Sequence, residues 1–476
     1  MLPQISKITE LKENSSTSTI FDSLEQFSTA TLKSSEVEYL KGKLEKEDNC
    51  TIYRHPEIFY FSKMKEVKEP YLRLEMVRKA GAKLFEIMKS EKIKTIQLMN
   101  LSNAELLPAF LEGLLLASYT FDKYKKEKEE YKIEDIFVFD KYLTEDQIEE
   151  IRNLIQAVFH SRDLVNEPLS YLTAPQLSEE IEALANEAGF TLEVFHKKKI
   201  ESLKMGGLLA VNKGSIDPPT FNILEWKPEN AKNKKPFVLV GKGIVYDTGG
   251  LSLKPTTKSM DYMKSDMAGA AVVAATLYTV AKNKLPIHLV GLIPATDNRP
   301  DGNAYAPGDV ITMFDGTTVE VKNTDAEGRL ILADALTYAK KYSPELVIDL
   351  ATLTGAAEII SGKQAIVGMG TTKEYIQKLI ETGEETYERI IELPLWEEFA
   401  KPLKSSIADI NNLGGREGQT IVAGKFLEHF TDYNWIHLDI AAVSFLFEKE
   451  EYSPVGGTGY GTRLLYNFLK RACINN

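Results

Sequence analysis

Four short, largely apolar runs restrict what this chain can fold into more than any other feature. They lie at residues 237–240, 287–293, 346–350 and 435–440, with helical stretches between them. Phe237-Val238-Leu239-Val240 is apolar at every position and ends at Gly241. A strand with one wet face alternates in polarity, whereas a strand covered on both faces need not. Strand followed by helix, repeated from Ala174 onward, predicts an α/β layer structure around a mainly parallel central sheet.

The first 140 residues also read as mixed α and β. Residues 49–63 have a strand-like centre at Glu57-Ile58-Phe59-Tyr60-Phe61, and residues 93–98 and 133–139 read as strands. Pro70 opens a helical pattern carried by Leu72, Leu74, Met76, Val77 and Ala80. Residues 106–119 are the best membrane candidate, but they are too short to span and are broken by Pro108 and Glu112. They predict a buried helix. Residues 123–132, a run of mixed charge, predict a solvated helix end or loop. Thr144-Glu145-Asp146-Gln147 fits a capping box. Ile148, Ile151, Leu154, Ile155 and Val158 then share one face of a helix that is expected to end near His160. Asn166-Glu167-Pro168 starts a new segment. A chain of 476 residues is long enough for two domains. The expectation is a smaller N-terminal α/β domain over residues 1–160, ending in the linker helix, and a larger C-terminal α/β domain over residues 161–476.

Composition narrows the function classes. Lys plus Arg total 57 and Asp plus Glu total 69, for a net charge of −12. A broadly acidic chain has weak long-range attraction for nucleic acid or an anionic membrane. The two cysteines, Cys50 and Cys473, sit near opposite ends, so they offer no Cys-rich metal site, and their scarcity is compatible with a reducing cytoplasm. Residues 1–19 are polar and have no apolar core of a secretory signal. Familiar catalytic signatures are missing: no G-x-x-x-x-G-K-[ST], no H-E-x-x-H, no G-x-S-x-G, and six histidines scattered singly.

What remains is a set of charged residues at the ends of expected strands. Lys242 and Asp247 follow the strand that ends at Val240, within the glycine-rich string Gly241-Lys242-Gly243-Ile244-Val245-Tyr246-Asp247-Thr248-Gly249-Gly250. Open α/β folds place their sites there. Asp266 precedes a small apolar helix, which it could instead simply cap. In Asn323-Thr324-Asp325-Ala326-Glu327-Gly328-Arg329, an extended backbone would point Asp325 and Glu327 the same way. An acidic loop that merely favours a helix N-terminus is the competing reading. Two like charges ~4 Å apart repel by about 4 kcal/mol at an effective dielectric near 20. Four carboxylates in one pocket therefore protonate or spread unless cations sit among them. Two divalent ions would neutralise them, and oxygen ligands suit Mn²⁺, Mg²⁺ or Zn²⁺.

The Asn323-to-Leu330 string resembles the signature of the leucyl (cytosol) aminopeptidase family of metallopeptidases. Residues 240–250, 260–271 and 306–310 resemble family blocks in the family's order, as do Ala351-Thr352-Leu353-Thr354-Gly355, His437-Leu438-Asp439-Ile440-Ala441 and Arg162-Asp163-Leu164-Val165-Asn166-Glu167-Pro168. The resemblance runs from about Arg162 to the C-terminus and makes residues 161–476 a two-metal catalytic domain. It implies that Lys242, Asp247, Asp266 and Glu327 hold one metal, and that Asp247, Asp325 and Glu327 hold a second, more exchangeable one. It implies two divalent ions per subunit (Mn²⁺ or Zn²⁺) and a bicarbonate held by Arg329 as general base. Lys254 would polarise the substrate carbonyl and stabilise the oxyanion. Met263, Thr352, Gly355 and Ala441 would wall an apolar pocket for the first side chain, leucine or another apolar residue. Ser444 stands where some relatives have methionine. The implied activity is release of N-terminal residues from peptides with a free amine, by a cytoplasmic homohexamer with no membrane partner. The alternatives are a nucleic-acid-binding accessory role on the same scaffold, which the charge argues against, a catalytically dead scaffold, and a two-metal phosphatase.

Overall fold

The computed structural model describes residues 2–27, 32–102 and 106–474. The chain forms two compact units, one of residues 1–156 with 448–455 and one of residues 157–447 with 456–476.

The first unit is built on a six-stranded sheet. In spatial order its strands are Gln4–Lys7, Asp135–Phe139, Thr95–Asn100, Thr17–Phe21, Glu57–Lys63 and Asn49–Arg54. All neighbours are parallel except the last pair, which forms an antiparallel hairpin. The expected strands at 93–98 and 133–139 are found as the neighbouring pair Thr95–Asn100 and Asp135–Phe139. The apolar stretch at 106–119 forms the buried helix Leu106–Ala117. It lies tightly against the helix Pro70–Ser90 because both carry glycine at the contact. A Cβ on Gly113 would stand 1.9 Å from the Arg78 carbonyl oxygen, and one on Gly81 2.2 Å from that of Phe110. Residues 448–455 return to this unit, where the Tyr452 hydroxyl donates to Glu75 Oε2 over 2.9 Å, out of water. Among the described residues no helix is long and apolar enough to cross a membrane.

The capping box closes as expected. The Gln147 amide donates to Thr144 Oγ1 (3.2 Å), and the Thr144 amide donates to Gln147 Oε1 (2.9 Å). The helix it starts, Glu145–Asn166, runs six residues beyond the expected end at His160. Nothing in the His160 to Asn166 stretch breaks a helix, and the first residue that does is Pro168.

The second unit holds a nine-stranded sheet. The four apolar runs are its four central neighbours, in the order Trp435–Asp439, Leu346–Ala351, Phe237–Gly241 and Leu289–Asn298, all parallel. Antiparallel strands flank them, Ile366–Gly370 on one side and Thr220–Trp226 on the other. Helices cover both faces. Val290 and Leu292 share a core with Leu330, Ile331 and Leu336 of the helix Gly328–Ala339. Gly291 lies between those two residues in sequence and faces Val273 and Leu277 of the helix Ala268–Lys282. Successive residues of a strand point to opposite faces, so the sheet is buried on both sides, as its composition requires. Because the four central strands run in one direction, their C-terminal ends open on a single edge. Lys242, Thr352 and Ala441 follow those ends directly or within two residues.

Candidate metal centre

The edge of the sheet gathers the charged residues into one cavity of about 400 Å³. Lys242, Asp247, Lys254, Met263, Asp266, Asp325, Glu327, Arg329, Thr352, Gly355 and Ala441 all line it.

Three local arrangements set the positions of these side chains. Residues 243–247 are themselves a strand, which pairs with the far end of Leu289–Asn298, with Asp247 opposite Asn298. Asp325 and Glu327 do not lie on extended backbone. The Asp325 amide donates to Asn323 Oδ1 (2.8 Å) and the Ala326 amide to the Asn323 carbonyl (3.3 Å), making a turn. Glu327 already has helical dihedrals at the start of Gly328–Ala339. The turn, not a strand's two-residue period, brings the carboxylates together. Asp266 does not cap the helix after it. Met267 holds that position, and Asp266 Oδ1 instead accepts from the Thr352 hydroxyl at 2.6 Å.

One oxygen from each of Asp247, Asp325 and Glu327 lies within 4.8 Å of the other two. Two lysines thread between the acids. Lys242 Nζ lies 2.7 Å from Asp266 Oδ2 and 2.9 Å from Glu327 Oε1, and it donates to the Thr352 carbonyl at 2.9 Å. Lys254 Nζ lies 3.0 Å from Asp247 Oδ2 and contacts Asp325 Oδ1. Four carboxylates thus face two ammonium groups. Burial pushes up the Asp266, Asp325 and Glu327 carboxyls, and the neighbouring acids add to it, taking Asp325 to about 7. For both lysines burial works the other way, but the carboxylates outweigh it and hold the ammonium form. Asp266 Oδ2 and Asp325 Oδ1 are buried without an aligned hydrogen bond among the described residues. This set of hard oxygen donors with unspent lone pairs and excess negative charge fits divalent cations.

Supporting residues that the sequence pattern left without a role hold the acids in place. Asn298 Nδ2 donates to Asp247 Oδ1 (2.8 Å) and to the Thr324 carbonyl (3.0 Å), tying the two acid-bearing segments together. The Tyr305 hydroxyl donates to the same carbonyl at 2.7 Å. Asp439, fully buried, accepts from the Leu353, Thr354 and Ala441 amides, each at 3.1 Å, and so sets the loop between Thr352 and Gly355. The one legible signal for these residues was a polar side chain at the end of an apolar strand, as at Asn298 and Asp439. Arg329 is buried, and NH1 donates to the Asn412 carbonyl at 2.9 Å. Burial lowers its pKa to about 10 against the pull of Glu327 and Asp439.

Known proteins share this arrangement's sequence and fold. The profile of the cytosol aminopeptidase family's catalytic domain matches residues 159–466, and that of the family's N-terminal domain matches residues 65–128. A probable cytosol aminopeptidase of Chlorobaculum tepidum is 47% identical over 394 residues, which cover 77% of this chain and 75% of the relative. One from Syntrophotalea carbinolica is 42% identical over 410 residues, covering 83% and 82%. Among solved structures, the bottromycin maturation enzyme BotP in complex with Mn aligns with a TM-score of 0.85 at 29% identity, covering 96% of this chain and 100% of that one. A mutant of tomato leucine aminopeptidase aligns with a TM-score of 0.87 at 25% identity, covering 99% and 97%. On the family match over most of its length, this chain belongs to the cytosol aminopeptidase family and is in enzymatic class an aminopeptidase.

Proposed function

We propose that the protein is a two-metal exopeptidase that releases apolar N-terminal residues, leucine among them, from peptides with a free amine. The observation that carries this is the meeting of Asp247, Asp325 and Glu327 oxygens within 4.8 Å, beside the buried Lys242 and the partly buried Lys254. Asp247, Asp266 and Glu327, with Lys242 as a neutral amine, would hold one cation. Asp247, Asp325 and Glu327 would hold the other. Mn²⁺ or Zn²⁺ suits this mixed oxygen and nitrogen set. When bound, such a pair supplies Lewis-acid polarisation of the scissile carbonyl, a ligand position for the substrate amine and an activated water.

The remaining chemistry belongs to the chain. Lys254, kept as an ammonium by its acids, donates to the oxygen that becomes negative as the carbonyl is attacked. Arg329 sits with a buried, cationic guanidinium on the cavity lining and would hold a bicarbonate, which would supply a general base. Met263, Thr352, Gly355 and Ala441 would orient the first side chain. Residues 161–476 would form the catalytic domain and residues 1–160 the N-terminal domain, of a cytoplasmic homohexamer.

The amine requirement tests the reading. Protein reconstituted with Mn²⁺ should hydrolyse leucine p-nitroanilide and leave its N-acetyl derivative intact. Equal cleavage of both would rule out an exopeptidase. A second expectation concerns Gly328. A Cβ there would lie 2.4 Å from Lys242 Cε and 2.7 Å from its Nζ. Lys242 is buried and held by three oxygens, so Gly328→Ala should push Nζ off its partners. Turnover should fall about 10- to 100-fold, with less metal retained by elemental analysis. Unchanged rates and metal content would show that Lys242 moves freely and is no ligand.

A further inference from the structure

The cavity has a wall that the chemistry above does not use. Tyr262, Phe445 and Phe447 line it, and their rings pack mutually. Tyr262 stacks on Phe445 with centroids 6.1 Å apart and planes at 26°, and meets Phe447 edge-on at 5.0 Å and 89°. Phe445 meets Phe447 at 5.6 Å and 66°. The cluster is not sealed, since Phe447 is 52% exposed and Ile359, on the same cavity, 88%. Open apolar surface facing into a concave polar site marks a place where a ligand's apolar part sits. Ser444, next in sequence to Phe445, is buried and lines the cavity. Its amide donates to Ile440 and its carbonyl accepts from Thr458. Its hydroxyl makes no hydrogen bond among the described residues.

We propose that this wall receives an aromatic first side chain, phenylalanine or tyrosine, in preference to leucine. The inference rests on the aminopeptidase reading and names the substrate class of that same site. A fourth ring gains edge-to-face contact with the cluster that an isobutyl group does not. Met263, adjacent to Tyr262, adds a thioether that adapts to a ring edge. The Ser444 hydroxyl is a free donor and acceptor for a phenol.

The test is a panel of phenylalanine, tyrosine, leucine and alanine p-nitroanilides with Mn²⁺-loaded full-length protein. The phenylalanine and tyrosine substrates should exceed leucine in kcat/KM by about 3- to 10-fold. In Phe445→Ala the phenylalanine-to-leucine ratio should fall to about one, and Phe445→Leu, which keeps apolar bulk, should lower the ratio in the same direction. A wild-type rate for leucine equal to or above that for phenylalanine overturns the proposal without any variant, as does an unchanged ratio in either variant. If no free-amine substrate is cut, the peptidase reading itself falls and takes this inference with it. Leucine cleavage without aromatic preference overturns this inference alone.

Discussion

Glu327→Ala is expected to abolish turnover of leucine p-nitroanilide and to release bound metal. Glu327 is buried, lies 2.9 Å from Lys242 Nζ, and is, with Asp247, one of the two acids assigned to both cations. Removing it takes a shared ligand from each and leaves Lys242 with Asp266 as its remaining carboxylate contact within ion-pair distance. Breaking a buried ion pair from one side also costs about 3–5 kcal/mol of stability. Rates should therefore be read beside metal content and a thermal melt. Glu327→Gln, nearly the same shape, separates the two effects: it should retain the fold while losing metal and activity. Wild-type turnover in both variants would remove Glu327 from the site.

Lys254→Ala should behave in the opposite way with respect to metal. Its ammonium faces Asp247 and Asp325 at the cavity wall, and it is assigned to the oxyanion rather than to a cation. Losing one donor to a developing oxyanion lowers kcat by about 100- to 1000-fold. Metal content should stay full, because bound dications take over the charge balance for Asp247 and Asp325 once the lysine is gone. Lys254→Met, which keeps most of the side-chain stem, should match the alanine variant. Loss of metal in either one would place Lys254 among the ligands. A normal kcat would leave it as a counter-ion only.

Local pattern carried a good deal of this. The uninterrupted apolar character of residues 237–240, together with the three similar runs, marked the four parallel strands at the centre of the larger sheet, because burial on both faces leaves no room for polar alternation. Thr144 and Gln147 marked a helix start, because a capping box satisfies its own donors within four residues. The same local view misjudged the end of that helix, since no residue between His160 and Asn166 forbids continuation. It also misjudged residues 323–327. Residues two apart suggested an extended segment, but an Asn323 side chain accepting from the Asp325 amide makes a turn. The two carboxylates converge either way, so the candidate survived an incorrect account of its backbone.

The return of residues 448–455 to the first unit was not legible, because its partner, Glu75, lies more than 370 residues away in sequence. Asn298 and Tyr305 were missed for a related reason. Each acts by hydrogen-bonding the carbonyl of Thr324, and a backbone acceptor leaves no trace in residue type. From the order of amino acids alone came the α/β class, the parallel central sheet and the candidacy of the acidic side chains and Lys242, since these follow from burial, periodicity and charge, whereas Lys254 was implied only by the family resemblance. The distances among those side chains, the division of acids between Lys242 and Lys254, and the aromatic wall beside them came only with the folded chain. They depend on how strands far apart in sequence are set side by side, and long-range pairing of that kind is written in no single stretch of the sequence.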